Sequence, residues 1–229
     1  TTDTQVKKAS EEPKALKEEV DFILKNAGKY MSVKPKKDDI KSVFAGLRPL
    51  AATSNKQSTK EVSRSHKIDI SPSGLISVLG GKWTTYRKIA EDAINTAISI
   101  NKLKKKKCKT ERTKLFGFKR NVSWSDPMHV YGSLKKKVES LGGINDNKSL
   151  SNKFYISNNI IEWSIIHEMA LTVEDILARR TRCVFLDSKE SKRIAPIVAQ
   201  KMADVLGEDD KWIDAELKKF NKLIKNYIV

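Results

Sequence analysis

Between residues 75 and 98 a short apolar run rich in branched residues, "LISVLGG", stops at two glycines and passes without a spacer into an apolar period of three and four residues. That period is carried by Trp83, Tyr86, Ala90, Ala93 and Ala97, with Ile89, Ile94 and Ile98 alongside, and it predicts one amphipathic helix. Strand, turn and helix follow one another, and the turn is "GGKWTT". Gly80 and Gly81 have no Cβ, so the backbone is free to take positive φ and to let another group come within contact distance of its amides. The first turn of the helix adds unpaired N–H groups and a partial positive charge, which suit a phosphate, a carboxylate or an electron-rich ring oxygen. Lys82 adds a full charge, and the hydroxyls of Thr84 and Thr85 either cap the helix or bond a ligand. The plainer reading is a strand-to-helix turn with an exposed lysine, and these residues alone leave both readings open.

The surroundings of this turn are built from the same signals. "EVSRSHKIDI" alternates Val62, Arg64, His66, Ile68 and Ile70, and it pairs with "LISVLGG" across "SPSG", a turn of serine, proline and glycine. Upstream, Pro13 opens a segment in which Leu16, Val20, Ile23 and Leu24 form a helical stripe and Gly28 is the stop. In "SVFAGLRPL", Gly46 and Pro49 bracket Arg48 and fix the backbone on both sides of one charge. From about residue 122 the pattern is helical: "NNIIEWSIIHEM", "LTVEDILARR" capped at Thr172, and a last segment with Trp212, Ile213, Leu217, Phe220 and Ile224 on one side. Pro196 costs a helix interior about 3 kcal/mol, so the helix there is expected to run from near Pro196 to Gly207. Three strands and one helix cannot cover both faces of a sheet. The missing elements are expected N-terminal to residue 1, and the start without methionine reads as a piece of a longer chain.

Charge narrows the classes of partner. The net charge of the 229 residues is +17, yet residues 102–120, "KLKKKKCKTERTKLFGFKR", hold ten Lys or Arg against one Glu. The last 109 residues carry 17 basic and 15 acidic side chains, so no basic stripe crosses a fold and no nucleic-acid module is recognisable. The lysine run reads as a solvated loop, with an anionic surface such as a headgroup layer as its functional alternative. No run approaches the roughly 20 apolar residues of a membrane span. Cys108 and Cys183 lie far apart without a C-x-x-C pair, so neither a disulfide framework nor a cysteine metal site is indicated, and no metal is expected.

"FAGLRPL", "VSRSHKIDI", "GLISVLGGKWTTYRKIAEDA" and "TVEDILARRTRCVFLD", in that order and spacing, resemble the FAD-dependent glycerol-3-phosphate dehydrogenases. "GGKWTTYR" and "CKTERTKLFG" are more similar to the mitochondrial members than to the bacterial ones. The resemblance covers residues 13–229, most loosely between 120 and 157. It implies an α+β chain: the C-terminal part of an FAD/substrate-binding α/β domain followed by an all-α C-terminal domain. The implied division is a disordered segment 1–12, the end of the substrate domain with the returning strands and helix of the FAD domain over 13–100, a basic linker 101–121, and a helical domain 122–229. The family's G-x-G-x-x-G pyrophosphate loop is absent from this sequence.

On that resemblance Gly80, Gly81, Lys82, Trp83, Thr84 and Thr85 bind FAD along its ribityl and pyrimidine side, while Arg48, Arg64 and Lys82 bind the substrate phosphate. Arginine suits a dianion in a cleft because its fork grips two oxygens. A strand-end salt bridge is the structural alternative for Arg48, and a structural strand position the one for Arg64. No catalytic base is assigned, and His66, His129 and His167 read as surface or packing residues. The implied reaction oxidises sn-glycerol 3-phosphate to dihydroxyacetone phosphate and passes electrons to a quinone, at a mitochondrial inner-membrane surface or a bacterial cytoplasmic membrane face, in an assembly expected to be a homodimer, with no nucleic acid. The lone chain is expected to be inactive. The competing reading is a non-catalytic basic module that docks on anionic lipid or nucleic acid.

Overall fold

The computed structural model describes residues 2–48 and 66–229, so Pro49, Val62 and Arg64 lie outside the described residues. In chain order the elements are α1 (Lys17–Ala27), β1 (His66–Ile70), β2 (Ile76–Gly80), α2 (Tyr86–Ile100), α3 (Lys135–Glu139), α4 (Asn158–Glu168), α5 (Cys183–Leu186), α6 (Ser188–Leu206) and α7 (Asp210–Leu223). They fall into two compact units. One holds Ser10–Gly46 and Phe116–Val229, the other Asp3–Ala9 and Leu47–Leu115. Among the described residues the chain is mostly helical with one two-stranded sheet.

The helical unit has a core in which Ile161 of α4, Val184 of α5, Ile194, Val198 and Met202 of α6, and Phe220 of α7 are all buried together. Met128, Val138, Ile160 and Trp163 form a smaller cluster beside it. Helix ends are closed by side chains placed where the sequence puts them. Ser157 accepts from the Ile160 amide at 3.4 Å, Asp187 from Glu190 at 3.0 Å, and Asp209 from Trp212 at 3.0 Å. Thr172 and Asp175 cap reciprocally: the Thr172 amide donates to Asp175 Oδ2 and the Asp175 amide to Thr172 Oγ1, both at 3.1 Å. The segment that follows, Asp175–Arg180, widens into a π-helix, with the Thr181 amide donating to the Ile176 carbonyl at 3.0 Å. The buried Glu216 of α7 reaches the start of this segment. It accepts from the Val173 amide at 3.3 Å and from Lys219 Nζ at 2.8 Å.

One finding differs from the sequence pattern. The helix expected to start at Pro196 starts eight residues earlier, at Ser188, with Pro196 inside it. Pro196 stands on the exposed side of α6, where water can take the carbonyl its missing N–H leaves unpaired, while Ser188, Ser191, Ile194 and Ala195 are buried and hold the first turns in place. Residues 10–46 also join the helical unit through specific contacts. Ser188 donates its amide and its hydroxyl to the Lys41 carbonyl at 3.0 and 2.9 Å, and Phe44 packs edge-on against Phe185 with ring centroids 5.1 Å apart.

In the other unit β1 and β2 form an antiparallel hairpin with His66 opposite Gly80 and Ile70 opposite Ile76. The expected "SPSG" turn closes it: Gly74 takes φ +85°, its amide donates to the Ser71 carbonyl at 2.9 Å, and the Leu75 amide donates to Ser71 Oγ at 3.0 Å. No side chain of β1, β2 or α2 is fully buried, and Leu75, Val78, Leu79 and Ile94 are exposed. A hairpin and a single helix bury too little apolar surface to form a core of their own.

Candidate functional site

The turn between β2 and α2 is set by backbone geometry. Gly80 and Gly81 have φ of +70° and +98°, values that residues with a Cβ rarely adopt. A Cβ on Gly81 would stand 2.6 Å from Ile89 Cδ1 and 3.5 Å from His66 Cβ. The group that comes close to this bare backbone is therefore the flexible end of Ile89 of α2, and the positive φ is what calls for glycine at position 81. Lys82 is extended, and Trp83–Thr85 make one 3₁₀ turn that leads straight into α2.

Thr85 is consumed by the turn itself, since its amide and its hydroxyl both donate to the Lys82 carbonyl at 3.0 Å. The amides of Trp83 and Thr84 and the Thr84 hydroxyl have no partner among the described residues. The Lys82 ammonium is exposed and carries no ion pair there either. The Trp83 ring is 85 % exposed and stacks on Tyr86 with centroids 5.4 Å apart. The apolar period did place the helix, but its first member is not a core residue.

Around the turn the structure adds contacts that the sequence pattern did not single out. His66 Nε2 lies 3.1 Å from Asp92 Oδ2, and Lys88 Nζ donates to Asp92 Oδ1 at 2.6 Å, which ties β1 to α2. The Lys88 hydrogen bond holds the Asp92 carboxyl below its ordinary range. Arg87 Nη1 donates to Glu91 at 2.9 Å and to Thr110 Oγ1 at 3.2 Å, with Cys108 Sγ at 3.8 Å. The four-residue spacing of Arg87 to Glu91 and of Lys88 to Asp92 was the signal available in the sequence. Arg48 is half exposed and forms an ion pair with Asp3 at 2.8 Å. Arg64 lies outside the described residues. His129 Nδ1 lies 2.8 Å from the Asp126 carbonyl, and His167 packs on Trp163 at 4.0 Å, so both are engaged in local structure.

Chemically, the turn offers two amides, one hydroxyl, one cation and a helix N-terminus, all open to solvent. That set fits one edge of an electron-rich planar group, and it contains no phosphate-cradling loop. Among the described residues no cluster of three His, Cys, Asp or Glu side chains stands ready for a metal. None of the described helices is long and apolar enough to cross a membrane.

Residues 76–213, which include this turn, match the family described as the C-terminal domain of alpha-glycerophosphate oxidase. The mitochondrial glycerol-3-phosphate dehydrogenase of Bos taurus is 31 % identical over 250 residues, covering 98 % of this chain and 34 % of that protein. The Homo sapiens enzyme of the same name is 30 % identical over the same shares, and the probable mitochondrial enzyme of Dictyostelium discoideum is 32 % identical over 95 % of this chain and 38 % of that protein. The chain thus spans about a third of the length of the curated relatives it matches. With a family match over more than half of its residues, one that takes in the glycine turn and most of the helical unit, this chain belongs to the glycerol-3-phosphate oxidase and dehydrogenase family.

Proposed function

We propose that the chain is the C-terminal portion of an FAD-dependent dehydrogenase that oxidises sn-glycerol 3-phosphate to dihydroxyacetone phosphate and passes the electrons to a quinone. The observation that carries this reading is the Gly80–Thr85 turn, whose open amides, hydroxyl and cation stand at the start of α2 within the stretch that the family match covers. FAD, when bound, supplies the hydride acceptor. The chain's own residues then have distinct tasks. Gly80 and Gly81 set the backbone, Ile89 and Thr85 hold it closed, and the Trp83 and Thr84 amides with the α2 N-terminus hold the pyrimidine edge and stabilise negative charge there. Lys82 adds its charge to the flavin edge and to the substrate side.

Arg48 and Arg64 are assigned to the substrate phosphate. Arg48 is paired with Asp3 here, and in the phosphate-bound enzyme its fork would exchange that carboxylate for two phosphate oxygens. The exposed apolar surface of the hairpin and α2 supports placing this unit against the remaining two thirds of a relative-sized protein. Assembly as a homodimer and attachment to the surface of the mitochondrial inner membrane complete the reading, the compartment being supported by the names of the relatives.

The full-length protein tests it directly. Purified without reduction it is expected to show flavin absorbance, and anaerobic glycerol 3-phosphate is expected to bleach those bands while glycerol does not. A colourless protein, or bands indifferent to the phosphate ester, sinks the proposal.

A further inference from the structure

Residues 102–120 carry ten Lys or Arg and a single Glu, a net charge of +9 in one stretch. From Leu103 to Leu115 the chain forms neither helix nor strand, and Lys102, Lys104, Lys105, Lys106, Lys107 and Lys109 are all exposed. None of these six is in an ion pair among the described residues, and the one carboxylate of the stretch, Glu111, lies 3.7 Å from Arg87 instead. Both ends of the run expose apolar groups: Leu103 is 60 % exposed and Leu115 71 %. Such charge is costly to concentrate unless something anionic meets it, and such apolar groups are costly to leave in water.

We propose that residues 102–115 are a peripheral docking site for an anionic phospholipid surface, an inference that rests on the membrane attachment in the function proposed above and names the residues that make it. Lysine ammonium groups meet headgroup phosphates as point charges, while Leu103 and Leu115 reach the boundary of the acyl region. The composition favours lipid over a polynucleotide. Leucines do not stack on bases, Arg112 is the one planar cation of this stretch, and the sequence beyond residue 120 carries nearly balanced charge, 17 basic against 15 acidic side chains.

The test is co-sedimentation of the full-length protein with phosphatidylcholine vesicles made with and without phosphatidylserine. The wild type is expected to bind the phosphatidylserine vesicles and to be released as salt is raised. Each lysine near the surface strengthens binding about fivefold, so the quadruple variant Lys104→Gln, Lys105→Gln, Lys106→Gln, Lys107→Gln is expected to bind at least about a hundredfold more weakly. Leu115→Ser is expected to cost about tenfold even at high salt. Both variants keep wild-type turnover with a soluble electron acceptor. The proposal is overturned if the wild type does not prefer phosphatidylserine, if the quadruple variant binds as tightly as the wild type, or if a single-stranded oligonucleotide is bound more tightly than the vesicles. Flavin absorbance and bleaching are read in the same samples, so failure of the docking site and failure of the flavoenzyme reading give different results.

Discussion

Arg48 is the residue whose role its nearest contact leaves most open, because Asp3 satisfies it in this structure while the proposed substrate offers the same anionic chemistry. In the complete enzyme Arg48→Lys keeps the charge and loses the planar fork. Charge-assisted hydrogen bonds are worth about 1.5–3 kcal/mol each, so losing one is expected to lower kcat/KM about ten- to a hundredfold, mostly through KM. FAD content stays unchanged, and the variant and the wild type remain equally poor on glycerol. Equal impairment on both substrates, or a loss of flavin, would assign Arg48 to the fold. The two thiols give a second check at this scale. Cys183 is buried and desolvation pushes its thiol up to about 11, whereas Cys108 is partly exposed beside Arg87. A thiol reagent is expected to modify Cys108 in the native protein and both cysteines only after denaturation; native modification of Cys183 would contradict the packing described here. The glycines of the turn were legible from sequence as positions of unusual backbone. That Gly81 makes room for Ile89 was not, because the contact is fixed by how α2 leans on β2.

At the scale of elements, α6 shows how local signals are overruled. Its start is held by the Asp187 cap and by Glu190, which accepts from Arg193 Nη2 at 2.7 Å and from Ser151 Oγ at 2.6 Å. The Arg193 hydrogen bond, followed by that of Ser151, holds the Glu190 carboxyl down to about 2. A carboxyl whose folded value lies below its unfolded one stabilises the fold fully above the unfolded value and loses that contribution as the pH falls toward the folded one. The unfolding midpoint of the wild type is therefore expected to exceed that of Glu190→Gln by a constant margin near neutral pH, with the margin shrinking from about 4.5 down to about 2. A margin independent of pH over that window would show that the hydrogen bonds are not charge-assisted. Caps at Ser157, Thr172 and Asp209 could be read from residue type and position, since each acts within a few residues of itself. The run of α6 through Pro196 could not, because Ile194 and Ala195 draw their burial from other helices.

For the molecule as a whole, the proposed activity and the content of this chain lead to one expectation. A flavin held only along the Gly80–Thr85 edge lacks a pyrophosphate loop, so the isolated 229-residue chain with added FAD is expected to show no turnover of glycerol 3-phosphate. Turnover by the lone chain would overturn the division of labour proposed here. What the sequence determined by itself is whatever depends on neighbours along the chain. The hairpin across "SPSG", the helix after "GGKWTT", the capped helices of the last hundred residues and the position of the excess charge all follow from backbone freedom, periodicity and side chains that act over three or four positions. The tertiary structure decided the rest: Phe44 and Lys41 joining the helical unit, His66 meeting Asp92 across 26 positions, and Glu216 capping Val173 across 43. Those contacts depend on which surfaces meet when apolar area is removed from water, and no short window of residues contains both partners.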